Sequence, residues 1–334
     1  MAGERLSPDE KRFSAACDPL GFVLFRRNCV SREQVRDLVA EMREAVGRAD
    51  APVLIDQEGG RVARLRPPEW RAYPAPAKIA ALPDPTALEA AYLAARLIAE
   101  DLAELGVTVD AAPVLDLPVP GADPVIGDRA WGTDPARVAA LGRAVCDGLL
   151  DGGVLPIIKH IPGHGRARVD SHTALPRVDD DGSTLSRADF APFRALADMP
   201  WAMTAHIVYT KIDDAAPATL SRIVIDDVIR GEIGFDGVLV SDDISMGALA
   251  GSFAERTRRA LDAGCDLVLH CNGDMAEMEA VAAAARPLSA EVHARIARAE
   301  ELRQSRRVGF DARGAERRFA ELISGGPATS SKPA

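Results

Sequence analysis

Seven short apolar runs, Phe22 to Phe25, Pro52 to Asp56, Val107 to Leu115, Val154 to His160, Met203 to His206, Gly237 to Asp242 and Asp266 to His270, alternate with longer segments patterned for helices. Runs that lack polar alternation suit strands covered on both faces, so the alternation predicts a parallel sheet wrapped by helices, an α/β fold. Helix starts are signalled at Asp84-Pro85 and Asp134-Pro135, where Asp can cap and Pro takes the first helical position. An eighth strand has no pattern of its own.

The placement of polar residues selects a barrel over an open sheet. Asp56, Asp116, Lys159, His160, His206, Asp242, Asp243 and His270 all fall at or just past the C-terminal ends of the runs. In a (β/α)8 TIM-type barrel those ends converge on one mouth. An open nucleotide-binding sheet would carry a Gly-rich turn after its first strand, whereas Arg26-Arg27-Asn28 follows Phe25. The expectation is one barrel domain over 1–310, irregular at one strand, then a C-terminal extension at 311–324. Residues 325–334, rich in Gly, Pro and Ser, read as a disordered tail.

A net charge of -10 argues against a nucleic-acid surface and leaves a small-molecule substrate as the expected partner. No run approaches the roughly 20 apolar residues that span a bilayer. Met1 to Arg12 lacks the apolar stretch of a secretory signal, and the five cysteines (17, 29, 146, 265, 271) include no Cys-x-x-Cys pair. These features predict a cytoplasmic protein with reduced thiols and no structural zinc. A monomer is expected.

Chemistry concentrates in Lys159-His160-Ile161-Pro162-Gly163-His164-Gly165 and the adjoining Asp170-Ser171-His172, which hold three of the six histidines. The chain has only five lysines among its many basic residues, and one of them stands here. A compact ammonium fits that choice better than a guanidinium.

These segments, with Ile55-Asp56-Gln57-Glu58-Gly59-Gly60-Arg61-Val62, Ala112-Pro113-Val114-Leu115-Asp116, Ile126-Gly127-Asp128-Arg129 and Gly234 to Met246, resemble family-3 glycoside hydrolases. The likeness is to the single-domain bacterial β-N-acetylhexosaminidases of peptidoglycan recycling. It implies a retaining exo-β-N-acetylglucosaminidase acting on muropeptide fragments, with no metal and no cofactor. Asp242 would be the nucleophile, and His172, oriented by Asp170, the acid/base. Asp56, Arg64, Arg129, Lys159 and His160 would bind the sugar. One departure is Arg166-Ala167, where the family commonly has an acidic residue and Thr.

The residues alone also admit a metal-dependent hydrolase, with His160, His164 and His172 as ligands. No His-x-His ends the first strand, which opposes it. A phosphorylase, with phosphate in place of water, and a sugar-binding module without turnover are compatible with the same residues.

Overall fold

A computed structural model describes residues 1–325. Seven strands pair in chain order into one sheet: β1 (Phe22–Leu24), β2 (Val53–Ile55), β3 (Val109–Asp110), β4 (Leu155–Ile161), β5 (Trp201–Thr204), β6 (Val238–Asp243) and β7 (Leu267–Leu269). Every neighbouring pair is parallel. Each strand overlaps one apolar run. β5 starts earlier than expected, at Trp201, directly after Pro200.

The sheet is curled and incompletely closed. No eighth strand occurs in this sheet among the described residues, and β7 does not pair with β1. Side chains bridge that seam instead: Arg27 donates to the carbonyls of Cys271 and Met1, and the Asn28 amide donates to Gly3 O at 2.7 Å. Covering an open edge in this way blocks strand addition by other chains.

The outer helices follow their local signals closely. Asp134 accepts from the Arg137 amide at 2.7 Å and Pro135 opens the helix Pro135–Asp151. The other expected cap differs, because Pro85 itself occupies the cap position before Thr86–Glu104 and Asp84 turns its carboxylate to Arg137. These two long helices pack closely at Gly148, where a Cβ would lie 2.5 Å from Tyr92 O. No described helix is long and apolar enough to cross a membrane.

The expected extension is a helix, Ala312–Ser324, whose cap residue Asp311 accepts from Gly314 N and whose Arg318 pairs with Glu89 at 2.7 Å. Gly325, expected to begin the tail, is instead the left-handed cap of this helix, with φ 74°. The remainder of that expected tail, 326–334, lies outside the described residues.

Candidate active site

Two ladder irregularities shape the mouth. On β4, Lys159 lies opposite Met203 and Ile161 opposite Thr204, so two steps of β4 face one of β5. On β6, Val240 lies opposite Leu267 and Asp243 opposite Leu269, three steps against two. An extra residue bends the strand and re-aims its side chains, which is how consecutive residues such as Lys159 and His160 can both serve one cleft.

Lys159 is almost fully buried and donates to Asp56 Oδ1 at 2.9 Å, while its ammonium lies 2.6 Å from Glu58 Oε1. Arg64 donates to the other Asp56 oxygen at 2.8 Å. Arg129 grips Glu58 with two bonds, at 2.9 and 2.8 Å. Burial pushes the Asp56 and Glu58 carboxyls up, but Lys159 and the arginines prevail and hold both below the usual carboxylate range. Burial alone would lower Lys159, and its two carboxylates raise it. The result is a fixed cradle of charged donors and acceptors, suited to sugar hydroxyls.

Asp116 is fully buried at the centre of a second cluster. Its Oδ2 meets His160 Nδ1 at 2.7 Å, and its Oδ1 accepts from the amides of His160 and His164 at 3.2 and 2.6 Å. This leaves His160 Nε2 as the ring nitrogen not committed to Asp116. His164 is lowered to about 4 by burial and by the nearby His160, so it is neutral at physiological pH, and its Nε2 meets Ser171 Oγ at 3.0 Å.

Asp242 and Asp243 have different surroundings although adjacent. Asp242 is half-buried, and its Oδ1 accepts from the Asp243 amide at 2.8 Å. Burial raises its carboxyl, yet His160, His206 and Lys159 together hold it low, so it is ionised at neutral pH. Asp243 is spent on structure, accepting from Ser245 N at 2.9 Å and Cys271 N at 3.2 Å. His206 braces the same turn, with Nδ1 on Thr219 Oγ1 and Nε2 on Asp243 O.

The segment from His164 to Thr173 is anchored at both ends. At its start, Tyr209 OH donates to Gly163 O, and Arg166 donates to Asp189 at 2.7 Å and to Asp180 at 2.9 Å. The Arg166 departure is thus accommodated by two acids within this chain. At its end, Ala248 N donates to Ser171 O and Gly247 N to His172 O, both at 3.1 Å. The exposed imidazole of His172 meets Asp170 Oδ1 through Nδ1 at 2.7 Å, and the same oxygen accepts from the His172 amide. Asp170 is held low: burial raises it, and the His172 amide and ring outweigh that. Nε2 of His172 has no hydrogen-bond partner among the described residues.

The mouth thus gathers Asp56, Arg64, Arg129, Lys159, His160 and Asp242, with Asp170 and His172 on the anchored loop. His270 is the exception. Its Nε2 is spent on Glu277 at 2.8 Å and its ring packs edge-on to Phe253, both near the starts of outer helices, Met275–Ala284 and Phe253–Ala263. Glu58 and Asp116 have no binding or catalytic role assigned by sequence, though both lie in the motifs that carry the family likeness. The signal for Asp116 is an acid closing an apolar run. Among the described residues no three His, Cys, Asp or Glu side chains are grouped to hold a metal ion, and His160 and His164 already spend a ring nitrogen on Asp116 and Ser171.

The family model described as "Glycosyl hydrolase family 3 N terminal domain" matches residues 18–302. The chain is 43% identical over 281 residues to the β-hexosaminidase of Alkalilimnicola ehrlichii, covering 81% of this chain and 79% of that one. Its structure is similar to NagZ from Neisseria gonorrhoeae in complex with N-trifluoroacetyl-D-glucosamine, with TM-score 0.85, 33% identity, and coverage of 97% and 96% of the two chains. It is also similar to a β-N-acetylhexosaminidase from Beutenbergia cavernae, with TM-score 0.72, 28% identity, and coverage of 97% and 95%.

Proposed function

The chain belongs to glycosyl hydrolase family 3, and on that premise we propose that it is a retaining exo-β-N-acetylglucosaminidase using Asp242 as nucleophile and the Asp170–His172 pair as acid/base. Removal of a terminal N-acetylglucosamine from muropeptide fragments in the cytoplasm is the cellular role this reading assigns. The β-hexosaminidase and NagZ relatives support the choice of sugar.

The observation that carries the mechanism is the backbone tie from Gly247 to His172. It fastens the loop bearing a carboxylate-oriented imidazole to the segment that leaves the β6 end at Asp242. An Asp242 oxygen attacks the anomeric carbon as the bond to the leaving oxygen breaks, and that oxygen takes a proton from His172 Nε2. Asp170 holds Nδ1 and stabilises the imidazolium before transfer. In the second half-reaction the neutral ring takes a proton from water, water attacks the anomeric carbon, and the bond to Asp242 breaks. Asp56, Glu58, Arg64, Arg129 and Lys159 fix the ring hydroxyls, and His160 Nε2 reaches the same sugar.

The test is hydrolysis of an aryl β-N-acetylglucosaminide with product stereochemistry followed by NMR, with and without inorganic phosphate. The β-anomer should form first at a rate independent of phosphate. An α-anomer, or a phosphate-dependent sugar 1-phosphate, would overturn the assignment.

A further inference from the structure

Asp110 closes β3 beneath the sugar cradle and is fully buried. Its Oδ1 accepts from the Gln57 amide at 2.9 Å. Gln57 stands between Asp56 and Glu58, so this bond fixes the backbone that presents both cradle carboxylates. The other oxygen, Oδ2, is buried without a hydrogen-bond partner in the protein. So is Nε1 of Trp131, and the two residues line the same small pocket, with a volume of about 20 Å³. That is room for one water.

An ionised carboxylate does not suit this position. Asp56 and Glu58 lie close by, and the compensating cations are already committed: Lys159 to both acids, Arg64 to Asp56, Arg129 to Glu58. Tyr73, which also lines the cavity, spends its hydroxyl on Asp101. A buried charge without a dedicated partner is costly, whereas a neutral acid loses far less.

We propose that Asp110 is a positioning residue that works as a neutral carboxylic acid, its carbonyl oxygen holding the Gln57 amide and its hydroxyl donating to a water shared with the Trp131 indole. The proposal rests on the reading of Asp56, Glu58 and Lys159 as the sugar cradle. Burial first, with Asp56 and Glu58 adding to it, outweighs the Gln57 amide and Lys159 and pushes the Asp110 carboxyl up to about 7. Above that pH the proton leaves, a third negative charge joins the cradle, and sugar binding weakens while the reacting groups are untouched.

The experiment compares kcat and KM across pH 6 to 9 for the parent, Asp110→Asn and Asp110→Leu. Asn reproduces the neutral acid, one acceptor and one donor, and should keep kcat/KM within about threefold of the parent at pH 6. The parent KM should rise above pH 7 and the Asn variant's should not; a parent KM flat to pH 9 would overturn the proposal. Leu should raise KM about tenfold or more with a smaller change in kcat, because the Gln57 amide loses its acceptor. A folded Asp110→Asn enzyme that loses tenfold or more at pH 6 would overturn the proposal, since the carboxylate would then be the working form. Isotope-edited infrared difference spectra between the parent and Asp110→Asn assign the proton: a protonated-carboxyl band at pH 6 that is lost by pH 9 and is missing from the variant supports it, and no band that depends on Asp110 at pH 6 contradicts it. Lys159→Met serves as the control, because an unchanged KM there would indict the cradle reading itself.

Discussion

The amide of Gly247 donates to the carbonyl of His172 at 3.1 Å, and a Cβ added at Gly247 would lie 2.8 Å from that same oxygen. The loop carrying the imidazole therefore leans directly on the turn that follows Asp242. Gly247→Val should push this loop outward without disturbing the barrel, since Gly247 is exposed. Turnover of disaccharides should fall tenfold or more, with a much smaller loss for aryl glycosides whose acidic phenols need little protonation. Equal losses for both substrate classes would show that the contact does not serve proton transfer.

Replacing each of the paired aspartates separates their duties. Asp242→Asn keeps shape and hydrogen bonding but cannot form the glycosyl-enzyme, so kcat should drop by more than about a hundredfold in a folded protein. Asp243 accepts from Ser245 and Cys271, so Asp243→Asn should lower Tm and cost less than about tenfold in kcat. The comparison is made by steady-state kinetics and thermal melts on the same preparations.

Lys159 neutralises two buried acids, which gives a stability prediction with a definite pH dependence. In the parent, Asp56 and Glu58 are depressed, so their contribution is present above the unfolded carboxylate range near pH 4 and is lost only as pH falls through the lower folded values. Lys159→Met removes the shared cation and leaves Asp56 and Glu58 partly uncompensated, at a cost of about 3 to 5 kcal/mol at pH 7. Their folded pKa values then rise relative to the parent, because Arg64 and Arg129 alone hold them down less, so the folded variant takes up protons at a higher pH than the folded parent. Its Tm deficit should shrink as pH is lowered from 7 to 5. A deficit constant across that range would mean that the ammonium contributes packing alone.

Dialysis against a chelator should leave hydrolysis unchanged, because the proposed steps are carried by carboxylates and an imidazole. Activity lost on chelation and restored by zinc would return His160 and His164 to the role of ligands.

Much of the fold was legible because parallel strands buried on both faces write themselves as uninterrupted apolar runs, and all seven overlapped a strand. The open seam was not legible. It is closed by Arg27, Asn28 and the first residues of the chain, contacts that carry no periodicity. Strand-end placement is legible for His270, which directly follows β7, but no strand pattern announces that its Nε2 is spent on Glu277. Glu58 went unassigned because its meaning comes from Arg129 and Lys159, which are distant in sequence and adjacent only after folding.

His172 carries the proton in the proposed mechanism, and the dependence of His172→Ala kinetics on leaving-group pKa reads that role out. Asp170 fixes Nδ1 and leaves Nε2 to act, so the alanine variant should cleave glycosides of acidic phenols at near-parental glycosylation rates and fail increasingly as the leaving group becomes more basic. Deglycosylation should then limit turnover of the activated substrates, and azide should restore it by replacing the water that the imidazole no longer deprotonates. A loss independent of leaving group, with no response to azide, would remove His172 from proton transfer and move the acid/base role to another group at the mouth.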